Sequence, residues 1–262
     1  MFVNVKKNTL SFGFFVIFLT FNLLTSCKSN STYQITQIEG KKVGITHDFG
    51  ENVAIASFVK PYSDSINSDL NHVLAYCEET QDKSKGTWQT NIGNLLAEMT
   101  FELGNPILKQ RENKSIDICL LNHGGIRAII AKGNVTTRTA FEVMPFENSL
   151  IIVGLKGKEI KKLAEFVIKD KKPHPLYGMK IYINKTSQKI NKIEVNNQPL
   201  NDEQIYYVAT SDYLANGGDN MNFFTESTLK YDLDYKLRNL MIDYFKKVDT
   251  IPNITTEKII LE

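Results

Sequence analysis

Two apolar segments of this chain each run into a turn that contains two consecutive glycines. Residues 116–121 lead into Asn122-His-Gly-Gly-Ile-Arg127, and residues 206–210 lead into Ser-Asp-Tyr-Leu-Ala-Asn-Gly-Gly-Asp219. Short apolar runs bounded by turn residues are typical of buried strands. Glycine permits unusual backbone angles and lets a ligand approach the main chain closely. The fold therefore has to place two polar turns at the ends of buried strands.

Apolar residues elsewhere recur with both helical and strand periods. Helical spacing predicts helices over residues 61–74, 92–99, 160–168 and 235–247, and apolar runs predict strands over residues 116–121, 149–155, 179–183, 190–195 and 206–210. Pro61 suits the first turn of the first helix. Either Thr87 or Thr90 suits the N-cap of the second. Because helices and strands mix without strict βαβ alternation, the pattern predicts an α+β domain, a mixed β-sheet with packed helices.

The N-terminus has the layout of a secretory signal. Lys6 and Lys7 precede the Phe-rich apolar residues 11–24, a stretch shorter than the about 20 residues that a membrane-spanning helix needs. Leu-Thr-Ser-Cys27 resembles a bacterial lipobox, in which cleavage exposes the cysteine for lipid attachment. An uncleaved anchor helix is the alternative. We predict a signal peptide over residues 1–26, a polar tether over residues 27–42, and an exported protein that a lipid on Cys27 anchors to the periplasmic side of a membrane.

The charge balance excludes one class of ligand. The 262 residues include 31 basic and 29 acidic side chains, for a formal net charge of +2. The lysines of residues 156–172 alternate with apolar residues, as on a solvated helix face. With no basic stripe elsewhere, we expect no binding to a nucleic acid polymer.

Cysteine and histidine spacing gives no metal or disulfide pattern. Beyond Cys27 the chain has only Cys77 and Cys119. Cys119 lies in an apolar run, as a small buried hydrophobic residue would, and the sequence leaves open whether the two cysteines pair. The four histidines, at positions 47, 72, 123 and 174, lack ligand spacing, so we expect no metal site in this chain.

A third polar stretch, Pro-Phe146-Glu-Asn148, precedes the predicted strand 149–155. The Phe146 ring can pack inward or stand open as a stacking platform, and its position alone favours core packing. Asp219 can accept two hydrogen bonds from a vicinal diol, although aspartate is also a common turn former. Arg127 offers a rigid fork of donors to a phosphate. Together with Tyr213, these residues describe a site for a base, a ribose and a phosphate.

Four segments, in this order, resemble the C-terminal domain of the 5'-nucleotidase family: QTNIGNLLAE from residue 89, NHGGIR from 122, PFENSLIIVGLKGKEI from 145 and YYVATSDYLANGGDN from 206. The resemblance runs from residue 43 to the C-terminus, so it implies one domain of that fold over residues 43–262. In the family this domain determines substrate specificity.

Carried over residue by residue, the resemblance implies a substrate-binding role for Asn122, Gly124, Gly125, Arg127, Phe146, Asn148, Tyr213, Gly218 and Asp219. Phe146 and Tyr213 match the two rings that clamp the base, with tyrosine where the family usually has phenylalanine. Asp219 matches the acid that binds the ribose hydroxyls. Arg127 matches the arginine that faces the phosphate.

This chain departs from the family pattern just before the first of the four segments. The family usually carries another arginine there, near the position of Gly86. Only Lys83 or Lys85 could substitute, and a lysine binds phosphate as a point charge without the bidentate geometry of arginine. Trp88 could add stacking, although packing in the core or at the rim is its more ordinary role.

The family's metallophosphoesterase domain, which holds two metal ions, has no counterpart in the residues before 43. We therefore expect the nucleotide- or nucleoside-binding half of a 5'-nucleotidase-type phosphohydrolase of nucleotide catabolism, inactive alone, with no catalytic residue and no cofactor of its own. A separately encoded metallophosphatase with divalent ions such as Mn²⁺ or Zn²⁺ would be its partner. The alternative is a non-catalytic periplasmic lipoprotein that binds nucleotides or nucleosides.

Overall fold

The computed structural model of the protein describes residues 12–20, 34–46 and 49–262. The chain falls into two units, Met1–Asn52 and Val53–Glu262. In the first, residues 12–20 are helical and residues 34–46 have no regular secondary structure. Cys27 and most of the predicted signal peptide lie outside the described residues. No helix within the described ranges is long and apolar enough to cross a membrane.

The second unit mixes helices and strands along its whole length. Its helices are α1 (Val53–Leu70), α2 (Asn91–Glu112), α3 (Thr137–Val143), α4 (Gly157–Asp170), α5 (Asp212–Ala215) and α6 (Leu237–Lys247). Its strands are β1 (Val73–Cys77), β2 (Ile118–Leu120), β3 (Gly133–Thr136), β4 (Ser149–Lys156), β5 (Leu176–Tyr177), β6 (Met179–Ile183), β7 (Ile190–Val195), β8 (Gln198–Pro199), β9 (Ile205–Ser211), β10 (Leu229–Lys236), β11 (Thr250–Ile251) and β12 (Ile259–Leu261).

The strands form three sheets in the described part of the chain, with orders β11-β1-β3, β10-β4-β9-β2-β5 and β12-β6-β7-β8. Each sheet contains one parallel pair, namely β1 with β11, β2 with β9 and β6 with β12. The remaining pairs are antiparallel. The predicted α+β class is confirmed, and the mixed sheet that the sequence predicts is divided into three.

The first predicted helix is wrong in its boundaries. The spacing predicts a helix over residues 61–74 with Pro61 in the first turn, but α1 begins at Val53, holds Pro61 in its interior and ends at Leu70. The apolar residues at 73 and 74 continue the helical spacing by coincidence, since β1 instead pairs with β3 from Val73 to Cys77. Sheet pairing therefore overrides the local period.

Other local predictions are confirmed. Strands β6 and β7 span the predicted residues 179–183 and 190–195. Helix α2 takes Thr90, not Thr87, as its N-cap, and the Thr90 hydroxyl accepts a hydrogen bond from the amide of Gly93 at 3.1 Å. This cap satisfies a donor that the first turn would otherwise leave unpaired.

The five-stranded sheet is buried on both faces. Along β4, Leu150 and Ile152 pack in one core cluster with α2 and α6, whereas Ile151 and Val153 pack in a second cluster with α4. A strand with two buried faces reads as a continuous apolar run instead of an alternating one. That explains why residues 149–155 lack alternation.

The two described cysteines are free and buried. Cys119 in β2 is fully buried, as predicted, and burial raises the pKa of its thiol and that of Cys77. Both thiols therefore stay protonated at neutral pH and act as small hydrophobic side chains.

Candidate functional site

One edge of the five-stranded sheet collects the polar turns. Strands β2 and β9 are parallel neighbours, with Cys119 beside Ala209, so both end at this edge. Strand β4 runs antiparallel to β9, with Leu150 beside Ser211, so it begins there. The loops after β2 and β9 and the loop before β4 must consequently meet. Ligand sites commonly lie at such carboxyl ends of parallel strands.

These loops enclose a cleft of about 410 Å³, within the size range of small-molecule sites. It is lined by Asn122, Gly124, Gly125, Arg127, Phe146, Asn148, Tyr213 and Asp219. Eight of the nine residues predicted to bind substrate are thus brought together. The ninth, Gly218, lies beside the Tyr213 ring instead of lining the cleft.

The Phe146 ring stands open. It is 48% exposed, and Tyr213, in the segment after β9, is 47% exposed. The expectation from position alone, core packing, is therefore wrong. Both rings present an accessible apolar surface in a cleft that is otherwise lined largely by polar groups. Such rings can stack on a planar ligand.

The start of α6 holds the loop that carries Phe146. The buried guanidinium of Arg238 donates to the carbonyl of Pro145 at 3.0 Å and also pairs with Glu147. The amide of Leu237 donates to the carbonyl of Asn148 at 2.9 Å. These contacts tie the main chain on both sides of Phe146 to a helix. Sequence reasoning missed Arg238, because nothing local connects residue 238 to residue 146.

Arg127 lines the cleft and is exposed. Its guanidinium carbon is 5.9 Å from the centre of the Phe146 ring, and Nη1 donates to the carbonyl of Gly124 at 3.2 Å. A guanidinium has five N–H donors, and in the described part of the chain this is the one hydrogen bond that the side chain makes. Its remaining donors are free to bind an anion.

The structure distinguishes the two lysines that could replace the absent arginine. The half-buried Lys83 donates from Nζ to the carbonyl of Ile126 at 2.5 Å, next to Arg127. Lys85 is exposed. Lys83 therefore supplies the second positive charge near the turn. Trp88 packs against the second core cluster and does not line the cleft, which agrees with its ordinary role.

Asp219 is held from two sides. Its Oδ2 accepts from Asn122 Nδ2 at 2.7 Å, and its Oδ1 accepts from the hydroxyl of Tyr213 at 2.8 Å. Its own amide donates to the same hydroxyl at 3.1 Å. The network links the loop after β2 to the loop after β9. The side chains of Asn122 and Tyr213 thus orient the carboxylate of Asp219.

The glycines of the two turns are required mainly by close contacts. Gly124, Gly125 and Gly218 have ordinary negative or extended backbone angles, unlike Gly217 with φ 87°. A Cβ on Gly125 would lie 2.8 Å from Oδ1 of Asn122, and one on Gly218 would lie 2.6 Å from the Tyr213 ring. The space is therefore already taken by neighbouring side chains.

A buried histidine supports the first turn. His174 Nδ1 accepts from the amide of His123 at 3.2 Å, and its Nε2 lies 2.9 Å from Oδ2 of Asp170. Since Nδ1 accepts a hydrogen bond, Nε2 must carry the hydrogen and donate it to Asp170. An Asp-x-x-x-His spacing at the end of α4 was the one local signal that could have indicated this pair. His174 is a positioning residue, held in one tautomer.

The burial of His174 and His123 predicts a loss of stability in mild acid. Burial lowers the pKa of His174 against the opposing effect of Asp170, and burial and Lys83 lower that of His123. Because unfolded histidine titrates near about pH 6.5, the unfolded state binds more protons below that pH, so the free energy of unfolding falls as the pH decreases. One such group contributes at most about 1.4 kcal/mol per pH unit.

Urea unfolding of the wild type and of His174→Asn between about pH 7 and pH 5 checks this. Asparagine can keep an acceptor near the Nδ1 position but does not titrate, so we expect a flatter pH dependence. The exposed His72, changed to Asn, is the matched control and should leave the slope unchanged. Equal slopes for wild type and His174→Asn would contradict the prediction.

Asp170 does not interfere with this test. Burial would raise the pKa of Asp170, but hydrogen bonds from His174 and Lys172 outweigh that effect and lower the pKa. The contribution of Asp170 to stability is therefore lost only in stronger acid.

Among the described residues, no group of three or more His, Cys, Asp or Glu side chains is placed to hold a metal ion. This part of the chain therefore offers no ligand set for the metals of a metallophosphatase.

Comparison with known proteins gives relatives that are longer than this chain. A trifunctional nucleotide phosphoesterase of Bacillus subtilis (strain 168) is 26% identical in an alignment of 223 residues that covers 76% of this chain and 14% of that protein. A 5'-nucleotidase of Vibrio vulnificus (strain CMCP6) is 26% identical in an alignment of 193 residues that covers 70% of this chain and 32% of that protein. The chain thus spans a third or less of these two relatives.

Solved structures show the same fold. The 5'-nucleotidase precursor of Thermus thermophilus superimposes with a TM-score of 0.66 at 24% identity, over 78% of this chain and 42% of that one. The NAD nucleotidase of Haemophilus influenzae superimposes with a TM-score of 0.59 at 18% identity, over 80% of this chain and 42% of that one. The family model described as "5'-nucleotidase, C-terminal domain" matches residues 72–226, more than half of the chain. By that match, this chain belongs to the family of the 5'-nucleotidase C-terminal domain.

Proposed function

We propose that the cleft binds a nucleotide or nucleoside. The base would stack between Phe146 and Tyr213, the ribose hydroxyls would bind Asp219, and a phosphate would bind Arg127. The observation that carries the proposal is that two half-exposed rings, a carboxylate and a guanidinium line one cleft of about 410 Å³. Each group offers the chemistry that one part of a nucleotide needs.

The amides of Asn122 and Asn148 complete the proposed site. Both side chains line the cleft and are only partly exposed. An amide offers two donors and one carbonyl acceptor, so it can bind the edge of a base. One N–H of the Asn122 amide donates to Asp219. The side-chain carbonyl oxygen and the second N–H of Asn122 can therefore bind the ligand.

Calorimetric titration of the purified protein with adenosine, AMP and UMP tests the proposal directly. We expect saturable binding of at least one of the three. AMP should bind more tightly than adenosine, because only AMP can use the guanidinium of Arg127. The absence of binding to all three ligands would contradict the proposal.

The chain would serve as the nucleotide-binding half of a 5'-nucleotidase-type phosphohydrolase. Support comes from two findings: the matching family model is described as a C-terminal domain, and the described residues offer no group of three or more potential metal ligands. A separately encoded metallophosphatase with Mn²⁺ or Zn²⁺ would then supply the activated water. If no such partner confers turnover, the chain is a non-catalytic binding lipoprotein.

We also propose that the mature protein begins at Cys27 and is lipid-anchored on the periplasmic side. The support is the Leu-Thr-Ser-Cys27 sequence that follows an apolar stretch. One acyl chain alone binds a membrane only marginally, whereas several hold firmly.

Cys27→Ala should therefore move most of the protein from the membrane fraction to the soluble fraction. Cell fractionation followed by immunoblotting measures this, and Ser26→Ala, which keeps the cysteine, is the control. A Cys27→Ala protein that still sediments with membranes would instead support the uncleaved anchor helix.

A further inference from the structure

We propose that the Tyr213 hydroxyl positions the carboxylate of Asp219 and thereby makes the cleft selective for ligands with an intact ribose cis-diol over 2'-deoxyribose. The inference rests on the proposed nucleoside binding and adds the substrate class and the atom that determines it. In this role the ring of Tyr213 would contact the base, while its hydroxyl would act on the sugar through Asp219.

The hydroxyl of Tyr213 makes two hydrogen bonds to one residue. It donates to Oδ1 of Asp219 at 2.8 Å and accepts from the Asp219 amide at 3.1 Å. Both the side chain and the main chain of Asp219 are therefore fixed relative to the tyrosine ring. A phenylalanine ring at this position would keep the stacking surface and lose both bonds.

The ring itself cannot shift far. A Cβ on Gly218 would lie 2.6 to 2.7 Å from three atoms of the Tyr213 ring, so the main chain at Gly218 packs closely against that ring. The ring is thus supported by the same turn that carries Asp219. Its hydroxyl reaches the carboxylate from a fixed point.

The backbone conformation of Asp219 needs stabilising contacts from its neighbours. Its φ of 52° and ψ of 28° lie in the left-handed region, which is uncommon for any residue with a side chain, although aspartate and asparagine tolerate it best. A residue held in this region persists when its surroundings over-determine it. The hydrogen bond from the Asp219 amide to the Tyr213 hydroxyl is one such constraint.

The remaining acceptor sites of Asp219 match a cis-diol. An ionised carboxylate has about four lone-pair sites, two on each oxygen. Tyr213 occupies one site on Oδ1 and Asn122 occupies one on Oδ2. One site is left on each oxygen, so two neighbouring hydroxyls can each donate to a different oxygen. A 2'-deoxyribose would leave one of these sites unused.

The expected selectivity is large enough to measure. Losing one hydrogen bond to a charged group weakens binding roughly tenfold to a hundredfold. In the wild type we therefore expect adenosine to bind about tenfold or more tightly than 2'-deoxyadenosine. In Tyr213→Phe the Asp219 carboxylate loses the hydrogen bond from the tyrosine hydroxyl. We therefore expect the ratio of the adenosine affinity to the 2'-deoxyadenosine affinity to fall at least about threefold, mostly through weaker binding of adenosine.

The test is calorimetric titration of the full chain with adenosine and with 2'-deoxyadenosine. Tyr76→Phe is the matched control, because Tyr76 is also about half exposed, at 43%, and lies on β1, outside the cleft. It should leave both affinities unchanged. Asp219→Asn is the second comparison, and it should bring the two affinities close together.

The outcomes separate the two proposals. Adenosine binding with an unchanged ratio in Tyr213→Phe would overturn the role of the hydroxyl and leave nucleoside binding intact. A higher ratio of adenosine to 2'-deoxyadenosine affinity in Tyr213→Phe would also overturn the role of the hydroxyl. It would mean that in the wild type the hydroxyl competes with the ribose for Oδ1 of Asp219. If the wild type binds neither ligand, nucleoside binding fails and this inference fails with it. A melting temperature of Tyr213→Phe close to that of the wild type shows that the fold is kept.

Discussion

Phe146→Ala is expected to weaken the binding of adenosine and of AMP by about tenfold or more, since stacking of a base on an aromatic ring contributes about 1–3 kcal/mol. The ring is 48% exposed at the cleft and makes little contribution to the core. The change should therefore leave the free energy of unfolding nearly constant. Calorimetric titration and urea unfolding on the same protein separate the two effects.

The control for this prediction is Phe58→Ala. Phe58 is 70% exposed on α1 and does not line the cleft, so the affinity for adenosine should stay the same. Phe146→Leu gives a second comparison, because leucine keeps apolar surface but has no π-face. Unchanged adenosine affinity in Phe146→Ala would assign the ring a packing role after all.

The second large effect is expected in hydrolysis. We expect no release of phosphate from AMP by the purified chain with Mn²⁺ or Zn²⁺, and release when a partner metallophosphatase from the same organism is added. Arg127→Ala should then lower kcat/KM of the mixture by about ten- to a hundredfold, because a hydrogen bond to a charged group contributes about 1.5–3 kcal/mol. A colorimetric phosphate assay measures both.

Arg138→Ala is the matched control for Arg127→Ala. The Arg138 guanidinium binds Asn67 in α1 and Asn71 just after it and does not line the cleft. Arg138→Ala should keep the partner-dependent rate, whereas Arg127→Lys should recover only part of it, since lysine lacks the bidentate fork. Metal-dependent turnover by the rigorously purified chain alone would overturn the prediction.

The relation between sequence and structure differs among the elements of this site. The turns at Asn122–Arg127 and at Tyr213–Asp219 were visible because glycine pairs interrupt apolar runs. Their meeting was not visible, because it depends on β2 and β9 being parallel neighbours although about 90 residues separate them. Without the sheet order, only the resemblance to the 5'-nucleotidase family relates the two turns.

Two local choices depended on distant residues. Whether Phe146 faces the core or the cleft is decided by contacts of its loop with Arg238 and Leu237. The end of α1 is decided by the pairing of β1 with β3. In both cases the local pattern fits two conformations about equally well, and a partner far away in the sequence selects one.

The sequence by itself determined the α+β class, the positions of five of the twelve described strands and the buried nature of Cys119, because each depends on the period and chemistry of neighbouring residues. The full set of residues that line the cleft was implied only by the resemblance to the 5'-nucleotidase family. Tertiary structure alone decided that Phe146 is open, that Lys83 lies beside the turn, that His174 supports it, and that Tyr213 binds Asp219 with both its hydrogen and its oxygen. These features depend on distances between side chains in loops at one end of the five-stranded sheet. Strand order and register set those distances, and the local sequence does not encode either.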